Sequence, residues 1–138
     1  GRPSPPATKM FSAMADKLVI MLLNVNPERP GTLGAPFFQA TVAAAMDMEV
    51  DIYFAGPSAR FLVKGVADKL FPGSGQEKSL YSFMQDAHEA GAKFYVCAGA
   101  MDENELNDGN AIPELDGPRG GAAFISDAAE DDVLTLTY

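Results

Sequence analysis

The run Lys17-Leu18-Val19-Ile20-Met21-Leu22-Leu23 is apolar after its first residue and shows no alternation. A strand that meets water on one face alternates apolar and polar side chains. An unbroken apolar run that stops at loop residues therefore predicts a central parallel strand covered on both faces. The loop is residues 24–34, marked by Pro27, Pro30, Gly31 and Gly34. Pro36 then suits the first turn of a helix reaching Met48, in which Phe37, Ala40, Ala44 and Met48 form one stripe.

Strand and helix signals continue to alternate outward from this unit. Residues 49–54 supply a second strand centred on Val50, Ile52 and Tyr53, and residues 59–66 read as a short helix before an irregular stretch over 68–75. A fuller helix starts near Ser79, a capping residue type, and ends at Gly91, with Leu80, Phe83, Met84 and Ala87 on its apolar face. A third strand runs to Cys97. Asp102 and Glu105 have capping-box spacing and predict a short helix just beyond the cysteine. Residues 112–115 form a brief extended piece, residues 118–130 the last helix, and residues 132–138 a closing strand. Short βα units of this kind predict an α/β fold: a three-layer α/β/α sandwich with a mostly parallel five-stranded sheet, flavodoxin-like in general shape.

The chain has 138 residues, enough for one domain that buries about 68% of its extended surface. Residues 1–15, rich in proline, read as a flexible lead-in, and residues 16–138 as a single domain. Nothing in the lead-in has the apolar core of a secretory signal. No apolar run approaches the ~18 residues of a spanning helix, so no membrane partner is expected. Nineteen acids against ten bases give a net charge of -9. Without a basic stripe to offset phosphate repulsion, nucleic acid is not an expected partner either. The single cysteine rules out an internal disulfide and fits a reducing compartment.

That cysteine is the first candidate for chemistry. Cys97 ends a buried strand and is followed by Ala98, Gly99 and Ala100, which leave room for access at the carboxyl edge of the sheet. Two accounts stand side by side: a small apolar residue packed at a strand end, or a working thiol. N–H groups at the predicted helix start favour a negative sulfur, whereas Asp102 and Glu103 oppose it. His88, the only histidine, decorates the preceding helix and offers no dependable base for a hydrolytic thiol. One cysteine and one histidine cannot complete a tetrahedral metal site, and no Cys-x-x-Cys is present. No cofactor or metal is expected. Thiol exchange needs least, because it runs on the thiolate and its leaving group.

Arg29 is the only cation of the 24–34 loop and serves either as an anion-holding group near Cys97, if the two strands are adjacent, or as a solvated arginine. Asn24 and Asn26 either lend hydrogen bonds there or shape the turn. Ser58 (a candidate helix cap), Met101 and Asp102 are expected around the same cleft, although Met101 suits a core equally well. The segment Gly117-Pro118-Arg119-Gly120-Gly121 lacks the lysine and hydroxyl of a phosphate-gripping loop, which leaves a nucleotide or flavin binder the weakest of the alternatives.

The layout resembles the DsrE/DsrF-like sulfur-relay family. The resemblance lies in KLVIMLL (17–23), VDIYFAG (50–56), EAGAKFYVCAGAM (89–101) and GGAAFISDAAEDDVLTLTY (120–138). It implies that Cys97 stands where members that retain the cysteine accept sulfur. It further implies a cytoplasmic sulfur carrier or sulfurtransferase-like protein, assembled as a homotrimer or hexamer, that exchanges persulfide with a small TusA-like carrier protein. Members without the cysteine act as structural subunits, so an oligomeric scaffold with an inert thiol is the alternative. The acids Asp102 and Glu103 just after the cysteine depart from what a sulfur carrier would favour.

Overall fold

A computed structural model describes residues 15–138 except 26, 74 and 76. The lead-in assigned to residues 1–15 thus lies, but for Ala15, outside the described residues. The elements are β1 (Lys17–Leu22), α1 (Gly34–Ala45), β2 (Glu49–Phe54), α2 (Leu80–Glu89), β3 (Lys93–Val96), α3 (Ala98–Glu103), β4 (Leu115–Pro118), α4 (Gly121–Ala128) and β5 (Val133–Thr137), with 3₁₀ turns at Pro30–Thr32, Gly56–Leu62 and Ala67–Lys69.

The five strands form one sheet in the order β4-β3-β2-β1-β5, and every pair is parallel. From β1 the chain steps through β2 and β3 to β4, then crosses back to place β5 on the other side of β1. Right-handed crossovers that reverse direction in this way must use opposite faces of the sheet. The helices obey that rule. On one face, α1 and α2 cover Leu18, Ile20, Leu22, Ile52, Phe54, Phe94 and Val96, all nearly or wholly buried. Phe37 of α1 stacks on Phe54 at 6.0 Å between ring centroids, and Phe54 meets Phe94 at 5.4 Å. On the other face, among the described residues, only the eight-residue α4 is present, with Phe124 edge-on to Tyr53 at 5.3 Å.

Strand β1 has the expected burial, with Leu18, Val19, Ile20 and Leu22 at 2% exposure or less. Ser79 caps α2 by accepting a hydrogen bond from the Ser82 N–H at 3.1 Å, and Gly91, at φ +120°, follows the helix in a conformation that side-chain-bearing residues rarely adopt.

Four boundaries differ from the sequence expectation. The segment 56–62 is a 3₁₀ turn rather than an α-helix over 59–66, because Val63 turns away to bridge Ala111. The capping box at Asp102 and Glu105 does not form: β3 passes straight into α3, Cys97 is the cap residue, and Asp102 lies near the helix's end. The extended piece expected at 112–115 is instead β4 at Leu115–Pro118. Pro118 therefore closes that strand and does not open a helix, and α4 begins at Gly121. A proline is tolerated there because β4 is an edge strand.

Candidate functional site

The thiol sits where a strand becomes a helix. Cys97 has extended backbone (φ −71°, ψ 138°); its N–H donates to the Phe54 carbonyl at 3.4 Å, and its own carbonyl accepts from the Met101 N–H at 3.2 Å. The first bond ties it to β2 and the second starts α3. The residue is half-buried, and its side chain makes no capping hydrogen bond. Met101 stands one turn further along α3, also half-buried. It lines a cavity of about 310 Å³ with Asp108, Ile112, Leu115 and Pro118. Pro118 aligns with Val96, the residue before the cysteine, so this cavity lies beside the strand end that carries Cys97.

The other expected site residues disperse. Arg29 and Asn24 are exposed on the loop after β1. Strands β1 and β3 are not neighbours; β2 stands between them, which separates their ends by about 10 Å. The Arg29 carbonyl accepts from the Thr32 hydroxyl at 2.8 Å, and the Asn24 N–H donates to the Tyr138 carbonyl at 2.8 Å, so both backbones serve the turn. Asn26 lies outside the described residues. Ser58 is wholly buried and not a helix cap; its hydroxyl sits between the Leu22 carbonyl at 2.9 Å and the Ala55 carbonyl at 2.7 Å, holding the ends of β1 and β2 together. Asp102 is exposed on α3.

Two residues near the site escaped sequence reasoning. Asn104 donates through Nδ2 to the Gly56 carbonyl at 2.9 Å and the Ala100 carbonyl at 2.7 Å, fastening α3 to the turn after β2. Nothing in its sequence context marks it. Arg119 donates its N–H to the Val96 carbonyl at 3.0 Å, and its guanidinium lies 4.6 Å from the centre of the Tyr95 ring. Its only sequence signal was the glycine-rich segment around it. Among the described residues no group of three His, Cys, Asp or Glu side chains is placed to hold a metal ion.

A second polar cluster occupies the α4 face. Lys17 pairs with Asp51 at 3.1 Å and with Asp127, the Tyr53 hydroxyl donates to Asp127 at 2.8 Å, and Arg119 approaches Asp51 at 3.8 Å. Burial, then the adjacent Asp127, push Asp51 up to a pKa of about 6. Burial also opposes the charge on Asp127, but hydrogen bonds with Asp51, Lys17 and Tyr53 outweigh it and hold that carboxyl below its ordinary range. Burial opposes the Lys17 charge as well, yet its two carboxylate partners raise its pKa.

Against this geometry, the sequence profile of the DsrE/DsrF-like family matches residues 17–135. The chain belongs to the DsrE/DsrF-like family. Among solved structures, this DsrE/DsrF-like chain is similar to the ychN protein from E. coli, with a TM-score of 0.69, 11% identity, and coverage of 88% of this chain and 99% of that one. It is also similar to MTH1491 from Methanobacterium thermoautotrophicum, a protein of unknown function, with a TM-score of 0.62, 11% identity, and coverage of 88% and 98%. At that identity the likeness is one of fold. No curated protein sequence matches this family member. In the matched region Cys97 is the sole cysteine, at the carboxyl end of β3.

Proposed function

We propose that this protein carries sulfur as a persulfide on Cys97 and passes it to a partner protein. The observation that carries this reading is the position of the thiol: half-buried at a strand-to-helix junction, with no capping hydrogen bond to occupy it, beside a cavity lined by Met101 and Pro118. Membership of the DsrE/DsrF-like family supports it.

The chemistry asks little of the protein. A Cys97 thiolate attacks the outer sulfur of a donor persulfide; the new S–S bond forms on Cys97 as the donor's S–S bond breaks, and the donor leaves as a thiolate. An acceptor thiolate then attacks the outer sulfur on Cys97 and regenerates it. Electrons balance in both steps without an external oxidant or reductant. The N–H groups of the first turn of α3 have no partners within the helix, and they face the end at which Cys97 stands. Homotrimeric or hexameric assembly, a small TusA-like carrier as exchange partner and a cytoplasmic setting complete the reading.

Intact-mass spectrometry after treatment with a polysulfide tests it. We expect a gain of one sulfur mass on the wild-type chain and none on Cys97→Ser. An unmodified, fully reduced Cys97 under those conditions would refute the carrier role. A second reading, an inert scaffold subunit, is favoured by one observation: Cys97 also packs against the apolar core. That same negative result would select it.

A further inference from the structure

The two edges of the sheet are unlike. Strand β4 ends on Pro118, and its register with β3 shifts between Phe94 and Tyr95, features that keep an edge from pairing with another chain. Strand β5, the other edge, is Val133-Leu134-Thr135-Leu136-Thr137, with no charge, no proline and an unbroken register along β1. The direction of its backbone bonds follows from the residue after it. The Tyr138 N–H donates to the Met21 carbonyl at 2.8 Å, and the Tyr138 carbonyl accepts from the Leu23 N–H at 2.7 Å. Successive residues of a strand turn their backbone groups to opposite sides, so Leu134 and Leu136 bond to β1 as Tyr138 does, and Val133, Thr135 and Thr137 turn theirs outward. Among the described residues no backbone bond reaches those outward groups.

We propose that a second copy of this chain covers this edge, with its β5 antiparallel to the first about a two-fold axis through Thr135. The outward residues fit that axis. Val133 meets Thr137 of the other copy, Thr135 meets its own mate, and each of these pairs exchanges N–H···O bonds in both directions. The side chains fit it as well. Leu134 and Leu136 face Phe38, Val42 and Met46 of α1, which stand 60%, 41% and 48% exposed, across a trough of about 300 Å³ floored by Leu18. In the antiparallel pair Leu134 lies opposite Leu136 of the other copy at a non-hydrogen-bonded position, where side chains come closest, so the two troughs join over the axis. Large apolar side chains left open side by side on a strongly acidic protein are thereby covered. Charge sets the direction. Asp131 and Asp132 precede β5 on a chain of net charge -9. Parallel strands would bring the two acidic pairs together, whereas antiparallel strands hold them at opposite ends, about 20 Å apart, well beyond the ~8 Å screening length at physiological salt.

Disulfide trapping tests the register. Cys97→Ser leaves the chain without a thiol, and a single new cysteine is then added on β5. With Thr135→Cys the two sulfurs flank the axis, on Cα atoms about 5.5 Å apart, near the commonest spacing of a disulfide. With Val133→Cys they lie four residues, or about 13 Å, apart, which no disulfide spans. Under mild oxidation the first should run as a disulfide-linked dimer and the second at the 14.6 kDa chain mass. No link in Thr135→Cys, or equal linking in both, would overturn the proposal. Thr135→Pro in the wild-type background removes an outward N–H and none of the bonds to β1, a change an edge strand tolerates. It should keep the wild-type far-UV circular dichroism yet show at least a twofold lower mass by light scattering. A folded Thr135→Pro chain of wild-type mass would also overturn the proposal, and if that variant does not fold the trapping pair decides alone. Neither readout depends on sulfur loading of Cys97.

Discussion

A buried hydroxyl left without a partner costs about 1–3 kcal/mol, and Ser58 avoids that cost by lodging between the Leu22 and Ala55 carbonyls. Its substitution removes a side-chain donor to two carbonyls at the sheet's carboxyl edge. Ser58→Ala should therefore lower stability by about 1–2 kcal/mol, measured by urea unfolding, and leave sulfur loading of Cys97 intact. A loss of loading at unchanged stability would return Ser58 to the cleft. Cys97 was legible in the sequence because a strand that stops on a cysteine before small residues has only one place to go. The surroundings of Cys97 were not, because they depend on which strands lie side by side. Arg29 follows β1 and Arg119 follows β4, and only the sheet order reveals that β4, not β1, borders β3.

At the scale of the element, α4 is the thin layer, and charge holds much of it down. Asp127 reaches from α4 to Lys17 of β1 and Tyr53 of β2, with Asp51 beside it. An acid whose pKa is raised by folding stabilises the protein most when protonated, and that contribution is lost as pH rises through the folded value. For Asp51 the rise from 3.8 to about 6 corresponds to about 3 kcal/mol at most. Asp127, whose pKa is lowered, acts in the opposite sense and only at more acid pH, as its own carboxylate becomes protonated. Thermal melts of the wild-type protein should therefore show a loss of stability between about pH 4 and 6 that Asp51→Asn lacks. Identical pH profiles would show that Asp51 keeps an ordinary carboxyl. The elements themselves were largely readable from apolar runs and from caps such as Ser79. The start of α3 and the end of β4 were not: a strand that runs into a helix without a loop carries no punctuation, and a proline reads as a helix opener unless its strand is known to be at an edge.

For the whole molecule, the unequal layers bear on assembly. The α4 face has one short helix, and Ile125 on that helix is 63% exposed. An assembly of copies that covered this face would take the Ile125 side chain out of water. Light scattering should report a multiple of the 14.6 kDa chain mass, and Ile125→Lys should shift it toward the monomer. A monomer at micromolar concentration in the wild type would refute the oligomer. The sequence by itself determined the fold class, the order of strands and helices along the chain, and the thiol at the end of β3, because burial periodicity and strand-ending residues are local properties. Only the tertiary structure decided the order of strands across the sheet, the separation of the β1 loop from Cys97, the Lys17–Asp51–Asp127 cluster and the open groove beside β5. Each of these depends on contacts between segments far apart in the chain, which no local pattern of residues encodes.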